Sequence, residues 1–434
     1  MLDINFIKEN KEQVAKAITE KGIMLNLDEL LEVNEQRNKL ASQSDILRQE
    51  QNEFNKKIVN LDDDQKQRAL IEMKAVSEKI KSIEEELKVI QPKYQELMYM
   101  VPNIPSEDSP RGTEESNEVV ETWGEIPKFD FHMKDHVELA AELDLVDFDR
   151  GVKVSGFRGY YLKNEAVILH LAILNYALQK MVKKGFSPMI TPTIVKPFAL
   201  YGSGHFPFGK EDIYELANTG KDESGEQIGD SLYLAGTSEP SLLAYHSGEI
   251  LKEEQLPVKY CGFSQCYRNE VGSYGKDTKG LYRIHEFMKV EQIVICKADE
   301  EESEKWLQEM RGYAQEMLKD LKLPHRVLAI ATGDMGAGKR KMYDIETYMP
   351  SRNGYGETHS DSDLTDWQTR RLNIKYIDKD GKKKFAYALN NTVLASPRIL
   401  IAILENFQNA DGSVTIPEVL RPLCGFDTIG PKNN

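Results

Sequence analysis

From Val33 to Leu97 the chain contains no glycine and a single proline, Pro92. Within that stretch Val76, Ile80, Ile83, Leu87, Ile90, Tyr94 and Leu97 follow one another at alternating steps of four and three, the spacing of a heptad seam on an α-helix. Upstream, Val33, Leu40, Leu47 and Phe54 recur every seven residues, with Ile58 four further on. Between the two runs lies Asn60-Leu61-Asp62-Asp63-Asp64, a polar breaker rich in helix-capping residues. Two long helices joined by so short a turn must fold back as an antiparallel coiled coil, expected over about 27–98. At 1.5 Å per residue each arm would be about 50 Å long. Only one seam is apolar, so the hairpin is expected to project into water. Acidic residues slightly outnumber basic ones in it, so charge alone favours a solvated rod over a nucleic-acid grip.

Val101 to Pro110 carries Pro102, Pro105 and Pro110 among turn formers, so the helical region is expected to end near residue 105 and a linker to span 106–118. Beyond it, 119–434 reads as mixed helix and strand. Glu165 to Lys184 reads as a helix stopped by Gly185, and Arg398 to Gln408 as an apolar helix. Lys259 to Tyr267 and Tyr282 to Cys296 read as strands around a polar loop. Tyr201–Lys210 and Asn218–Asp230 read as mobile segments. The expected class is α+β: a helical hairpin followed by an antiparallel-sheet domain flanked by helices.

Composition excludes several alternatives. Lys and Arg number 56 against 71 Asp and Glu, a formal net charge of −15; this argues against indiscriminate binding to polyanions, which needs summed positive charge. Four cysteines are too few for a disulfide framework and lack a zinc-ligand spacing; reduced thiols packed in strands are expected. The opening MLDINFIKEN lacks the basic head and apolar stretch of a secretory signal. The longest apolar run, Ala166 to Val182, is broken by His170, Asn175 and Gln179. A cytoplasmic protein with no membrane partner is expected.

The segment from Tyr267 to Phe287 carries the most chemistry. A strand ends on Arg268 and Glu270, a Gly- and Lys-containing loop follows, and a second strand returns. On that return Arg283, His285, Phe287, Lys289 and Glu291 share one face by the period-two rule. Guanidinium forks suit phosphate, an aromatic ring suits a purine, and a carboxylate suits an ammonium. The set fits a nucleotide together with an amino acid; a surface hairpin laced with salt bridges would show the same periodicity.

This segment, about 259–296, resembles motif 2 of class II aminoacyl-tRNA synthetases in the form found in the seryl-tRNA synthetase family. Three further segments agree in order. Gly185-Phe-Ser-Pro-Met-Ile-Thr-Pro192, within about 185–194, resembles motif 1. Thr237-Ser238-Glu239 resembles the family's Thr-x-Glu loop. Leu389 to Arg398, continuing to about 408, resembles motif 3. The opening Met1-Leu-Asp-Ile and the closing Ile416 to Pro422 also fit, so the likeness spans nearly the whole chain.

The resemblance implies bent ATP on an antiparallel sheet, with Arg268 on the α-phosphate and serine carboxylate and Arg398 on the γ-phosphate. It implies Phe287 stacked on adenine and Asn269, Glu270 and the neighbouring loop around the base. Glu357 and Ser360 would hold Mg²⁺, with Thr358 and His359 also beside ATP. Glu291 would take the serine ammonium, while Thr237, Ser238, Glu239, Asn390 and Thr392 would line the serine site. Catalysis would rest on Arg268, Arg398 and Glu291. The hairpin resembles the family's arm for the long variable arm of serine tRNA, with Lys56, Lys57, Lys74 and Lys79 as candidate contacts. Selenocysteine tRNA would be a second acceptor where the organism has one. Pro192 would sit in a homodimer interface.

Some residues depart from the family pattern. His359, Asp361 and Asp363 replace Ser, Cys and Asn of many bacterial members, which would place extra carboxylates near the metal. Asn391 and Val393 replace frequent glycines, which would tighten the serine pocket, and Pro397 would shift Arg398. Gly333 to Lys339 matches the glycine and lysine spacing of a P-loop, but Arg340 stands where Ser or Thr should ligate Mg²⁺ and no parallel α/β context is expected; it reads as a loop near the active site. Two rival functions are a class II ligase acting on a carrier protein and an inactive tRNA-binding paralogue. The long hairpin argues against the first and the intact arginines against the second.

Overall fold

A computed structural model describes residues 1–58, 62–217, 220, 224, 229–271 and 279–431. The expected interhelical turn at Asn60-Leu61, most of Asn218–Asp230 and the loop 272–278 lie outside the described residues. The chain divides into two units, 2–102 and 103–434, the latter joined by Met1.

In the first unit two short helices, Ile4–Glu9 and Lys11–Glu20, precede the long helices α1 (Leu27–Lys57) and α2 (Asp63–Met100). Asn26 caps α1 by accepting from the backbone of Asp28 and Glu29, and Asp62 caps α2 by accepting from Gln65. Helix α2 runs through Pro92 without a break. The expected seam is the packed seam: Val33, Ile80 and Tyr94 are buried, and Leu40, Leu47, Phe54, Val76, Ile83, Leu87, Ile90 and Leu97 are half-buried. Two helices alone can cover no more than that. Cross-helix pairs fix the register: Lys93 with Glu29 at 2.7 Å, Gln51 with Ser77 at 2.9 Å, and Arg37 over the Tyr94 ring at 4.0 Å. Lys56, Lys57, Lys74 and Lys79 are all exposed.

The second unit is organised by one eight-stranded sheet. Its strands are β1 (Glu118–Trp123), β2 (Ser187–Ile190), β3 (Val258–Tyr267), β4 (Glu286–Cys296), β5 (His325–Ala329), β6 (Lys341–Met349), β7 (Gly354–Asp363) and β8 (Tyr387–Ser396). Their order is β1-β5-β6-β7-β8-β4-β3-β2. Every neighbouring pair is antiparallel except β2 with β3 at one edge. Its helices include α3 (His136–Glu142), α4 (Glu165–Lys183), α5 (Pro197–Ser203), α6 (Glu239–Ala244), α7 (Glu300–Asp320), α8 (Trp367–Leu372) and α9 (Arg398–Asn406). Helices α4, α7 and α9 bury Ile173, Met310 and Leu400 against Val290, Ile345 and Leu389 of the sheet in one core. One sheet face is thereby committed to packing, and the opposite face is left to carry polar side chains.

The segment expected as a linker packs on this second unit. Asn103 donates from Nδ2 to Gly338 O and Leu364 O at 3.1 and 2.9 Å. The backbone N–H groups of Thr332 and Gly333 donate to Pro110 O and Gly112 O. Tyr201–Lys210 is likewise held, since Arg371 donates to Tyr201 O at 2.9 Å and Gln368 to Ser203 O at 2.8 Å. All four cysteines are free and buried; Cys424 lies in a short helix, Arg421–Cys424, rather than in a strand.

Candidate active site

On the open face of the sheet, β3 ends and β4 begins beside the start of α9. A cleft there is lined by Arg268, Glu270, Tyr282, Phe287, Glu357 and Arg398, among others. Arg268, just past the end of β3, is exposed, with its guanidinium carbon 5.3 Å from the Phe287 ring centroid. Arg398 opens α9. It donates from Nε to Tyr282 O at 3.1 Å and from Nη1 to Glu357 O at 2.7 Å, and lies 4.4 Å from the Tyr282 ring centroid. Glu270 adopts φ 55° and pairs with Arg283 at 2.5 Å. The two arginines expected to bind phosphate thus share one cleft.

A second group lies deeper on the same face. Thr392 is directly opposite Glu291 on the adjoining strand, and its hydroxyl donates to Glu291 Oε2 at 3.3 Å. Lys289 pairs with Glu291 at 2.5 Å. Burial pushes the Glu291 carboxyl up, against the pull of Lys289, and the nearby Glu239 adds to the rise. Asn390 and Gln368 both donate to Glu239 Oε1, at 2.7 and 2.6 Å. Burial opposes ionisation of Glu239, but Lys339, His205, the Gln368 amide and Lys289 outweigh it and hold the group below its usual range. Two buried carboxylates in one cluster make a place where an incoming ammonium gains strongly.

Several expected residues are not brought to this face. Asn269 donates to Glu211 O at 3.3 Å, pinning a neighbouring loop. Ser238 turns under β3, with its hydroxyl 2.8 Å from Ser264 Oγ. His285 precedes β4 and bonds Arg268 O at 2.9 Å from Nδ1, so it does not share the face of Phe287 and Lys289.

The largest correction concerns β7. A bulge at Thr358 shifts its register against β6, so that Glu346 faces Glu357 while Asp344 faces Ser360. Glu357 and Ser360 therefore share the open face despite a spacing of three. His359 pairs instead with Ile345, a residue of the helix-packed core, and is buried. Thr358 lines the cleft, but its hydroxyl is tied to Thr347 Oγ1 at 2.8 Å. Asp361 and Asp363 follow His359 at steps of two, and Asp363 accepts from Ser303 on α7 at 2.9 Å. Burial raises both carboxyls. His359, Asp361 and Asp363 thus lie behind the sheet and add no carboxylate to the metal side. Asn391 likewise donates to Met310 O on α7 at 2.9 Å, and Val393 is part of the same core; neither narrows the serine side.

Sequence reasoning missed Gln368, Lys339, Tyr282 and Asp344. Lys339 closes the loop Gly333–Lys339, which joins the antiparallel strands β5 and β6, and approaches Asn390 Oδ1 at 3.5 Å. Antiparallel neighbours agree with rejecting a P-loop. Asp344 is half-buried, with a buried Oδ1 that has no hydrogen-bond partner among the described residues, and burial, then the Glu357 charge, push it well above the usual carboxylate range. An orphaned carboxylate oxygen beside Glu357 and the Ser360 hydroxyl is a hard-oxygen setting that fits a divalent cation such as Mg²⁺.

A large antiparallel sheet presenting two arginines and an aromatic ring is the architecture of a class II aminoacyl-tRNA synthetase, and residues 221–407 match the family described as tRNA synthetase class II core domain (G, H, P, S and T). Residues 1–105 match the seryl-tRNA synthetase N-terminal domain. The serine–tRNA ligase of Treponema denticola is 43% identical over 99% of this chain and 100% of its own. That of Deinococcus radiodurans is 43% identical over 98% of each. Among solved structures, seryl-tRNA synthetase from Pyrococcus horikoshii complexed with ATP superposes with a TM-score of 0.86 at 35% identity over the full length of both chains. The cytoplasmic enzyme from Naegleria fowleri in complex with AMP gives 0.83 at 30% identity, covering 100% of this chain and 99% of its own. The chain belongs to the seryl-tRNA synthetase family.

Proposed function

We propose that the protein activates serine with ATP and transfers it to the 3′-end of serine tRNA. The observation that carries this reading is the side-by-side placement of a two-arginine cleft and a buried Glu239–Glu291 pocket on one sheet face. The serine carboxylate attacks the α-phosphorus in line, giving seryl-adenylate and pyrophosphate. The terminal ribose 3′-hydroxyl of the tRNA then attacks the activated carbonyl and releases AMP. No side-chain nucleophile is required; the work is positioning and charge neutralisation.

Arg268 holds the α-phosphate against the serine carboxylate, so two anions meet across one cation. Arg398 receives the γ-phosphate, and Phe287 offers a ring to adenine. Glu291 takes the ammonium. Glu239, Asn390 and Thr392 surround the hydroxyl and disfavour alanine, whose methyl offers these polar groups no hydrogen bond. Glu357 and Ser360 would hold Mg²⁺, which when bound neutralises phosphate charge. The helical hairpin serves as the tRNA arm, with selenocysteine tRNA as a second acceptor where present. Exposed apolar side chains around Pro192, with Ile190 86% exposed and Ile194 52%, favour a homodimer through this edge. Among the described residues no helix is long and apolar enough to cross a membrane; the reading places the enzyme in the cytoplasm.

The test is charging of a tRNA pool with labelled serine in the presence of ATP and Mg²⁺. Wild-type protein is expected to accumulate seryl-tRNA. Glu291→Gln is expected to raise the KM for serine about 100-fold, ~3 kcal/mol, because a buried ammonium loses its counter-charge. Wild-type protein that charges no tRNA with serine would remove the reading, and an unchanged serine KM in Glu291→Gln would remove Glu291 from it.

A further inference from the structure

His136, the chain at Gly280–Leu281 and Glu405 are far apart in sequence and meet behind the cleft. Glu405 is wholly buried near the end of α9, the helix that Arg398 begins. His136 reaches it twice, from the backbone N–H at 3.0 Å and from ring Nδ1 at 2.8 Å. Ser351 adds its backbone N–H at 3.0 Å and its hydroxyl at 2.8 Å. A carboxylate ringed by donors draws the ring proton to Nδ1. The other ring nitrogen, Nε2, accepts from the backbone N–H of Leu281 at 3.2 Å, so it carries no proton. The two bonds together fix the orientation of the ring.

Gly280 confirms how tightly the chain is held there. It adopts φ +65°, and a Cβ on it would lie 2.1 Å from His136 Nε2. Lys279 pairs with Asp135, the residue that caps α3 immediately before His136. The next residue after Leu281 is Tyr282, whose carbonyl accepts from Arg398 and whose ring lies under both Arg398 and Arg352, at 4.4 and 4.3 Å. A closed circuit results: α9 carries Arg398 at one end and Glu405 at the other, and His136 ties the intervening Leu281–Tyr282 segment to it.

We propose that His136 is a positioning residue for ATP, holding Tyr282 and thereby Arg398 where the triphosphate is received. It touches no substrate, and the inference rests on the ATP reading of the cleft. The KM values for ATP and for serine in pyrophosphate exchange test it, together with ATP affinity by calorimetry and unfolding midpoints for each variant. His136→Asn retains an amide near the Glu405 side but ends short of Leu281. It is expected to raise the KM and Kd for ATP about tenfold, the loss of one well-placed hydrogen bond, with the serine KM within about twofold of wild type. His136→Gln, whose longer arm brings an amide oxygen toward Leu281, is expected to recover most of the loss. Gly280→Ala crowds the same nitrogen and provides a second variant should the first not fold; it too is expected to weaken ATP selectively. An unchanged ATP KM and Kd in both His136→Asn and Gly280→Ala, or equal losses for ATP and serine, would overturn the proposal. Wild-type protein that binds no ATP would instead overturn the reading of the cleft.

Discussion

Arg268→Ala is expected to reduce serine-dependent pyrophosphate exchange by about a thousandfold, ~4 kcal/mol, the scale on which a group meeting charge in a transition state contributes. The expectation follows from how little of the fold depends on this side chain. Arg268 is exposed, and among the described residues its side chain makes one hydrogen bond, to Gly236 O, long at 3.4 Å. Its guanidinium hangs above Phe287 rather than closing a buried ion pair. Truncating an exposed side chain of this kind changes stability by well under 1 kcal/mol. Activity and stability should therefore separate: unfolding unchanged, adenylate formation lost. A folded Arg268→Ala protein exchanging at the wild-type rate would remove Arg268 from the chemistry.

Removal of the hairpin is expected to produce the converse split. A short glycine linker replacing residues 35–95 should leave serine-dependent exchange within about twofold and lower the rate of tRNA charging by a hundredfold or more, since an arm that grips the tRNA contributes several kcal/mol of binding. The excision is geometrically mild. Arg37 lies over Tyr94 and Lys93 pairs with Glu29, so the two cut ends are neighbours. The sheet and its core lie in the other unit. The readout is exchange and charging measured on the same preparation. Equal charging by the deletion would take the arm out of recognition.

What could be read in the sequence was whatever depends on period alone. The heptad seam needed only its spacing, and in the structure its members are the packed residues of α1 and α2. The α+β class followed from the change of period after the proline-rich segment. That Arg268, Phe287 and Arg398 would meet in one cleft was legible where a motif names its own residues. It failed where a strand breaks its period. The bulge at Thr358 puts Glu357 and Ser360 together and sends His359, Asp361 and Asp363 to α7; alternation counted along the sequence cannot see an inserted residue. His285 differs for another reason: it lies before β4 begins, so strand alternation does not reach it. Gln368 and Lys339 were missed because each arrives from an element distant in sequence, and only the tertiary fold brings them to Glu239 and Asn390. His136 carried no signal, since its meaning depends on Glu405 and Leu281.

Amino-acid-dependent ATP–pyrophosphate exchange, with all twenty amino acids tested separately in Mg²⁺, addresses the central claim most directly. The account predicts exchange with serine, and with alanine at least two orders of magnitude less, because a methyl set against Glu239, Asn390 and Thr392 offers them no hydrogen bond. Exchange sustained by a different amino acid, or none from folded protein, would contradict it.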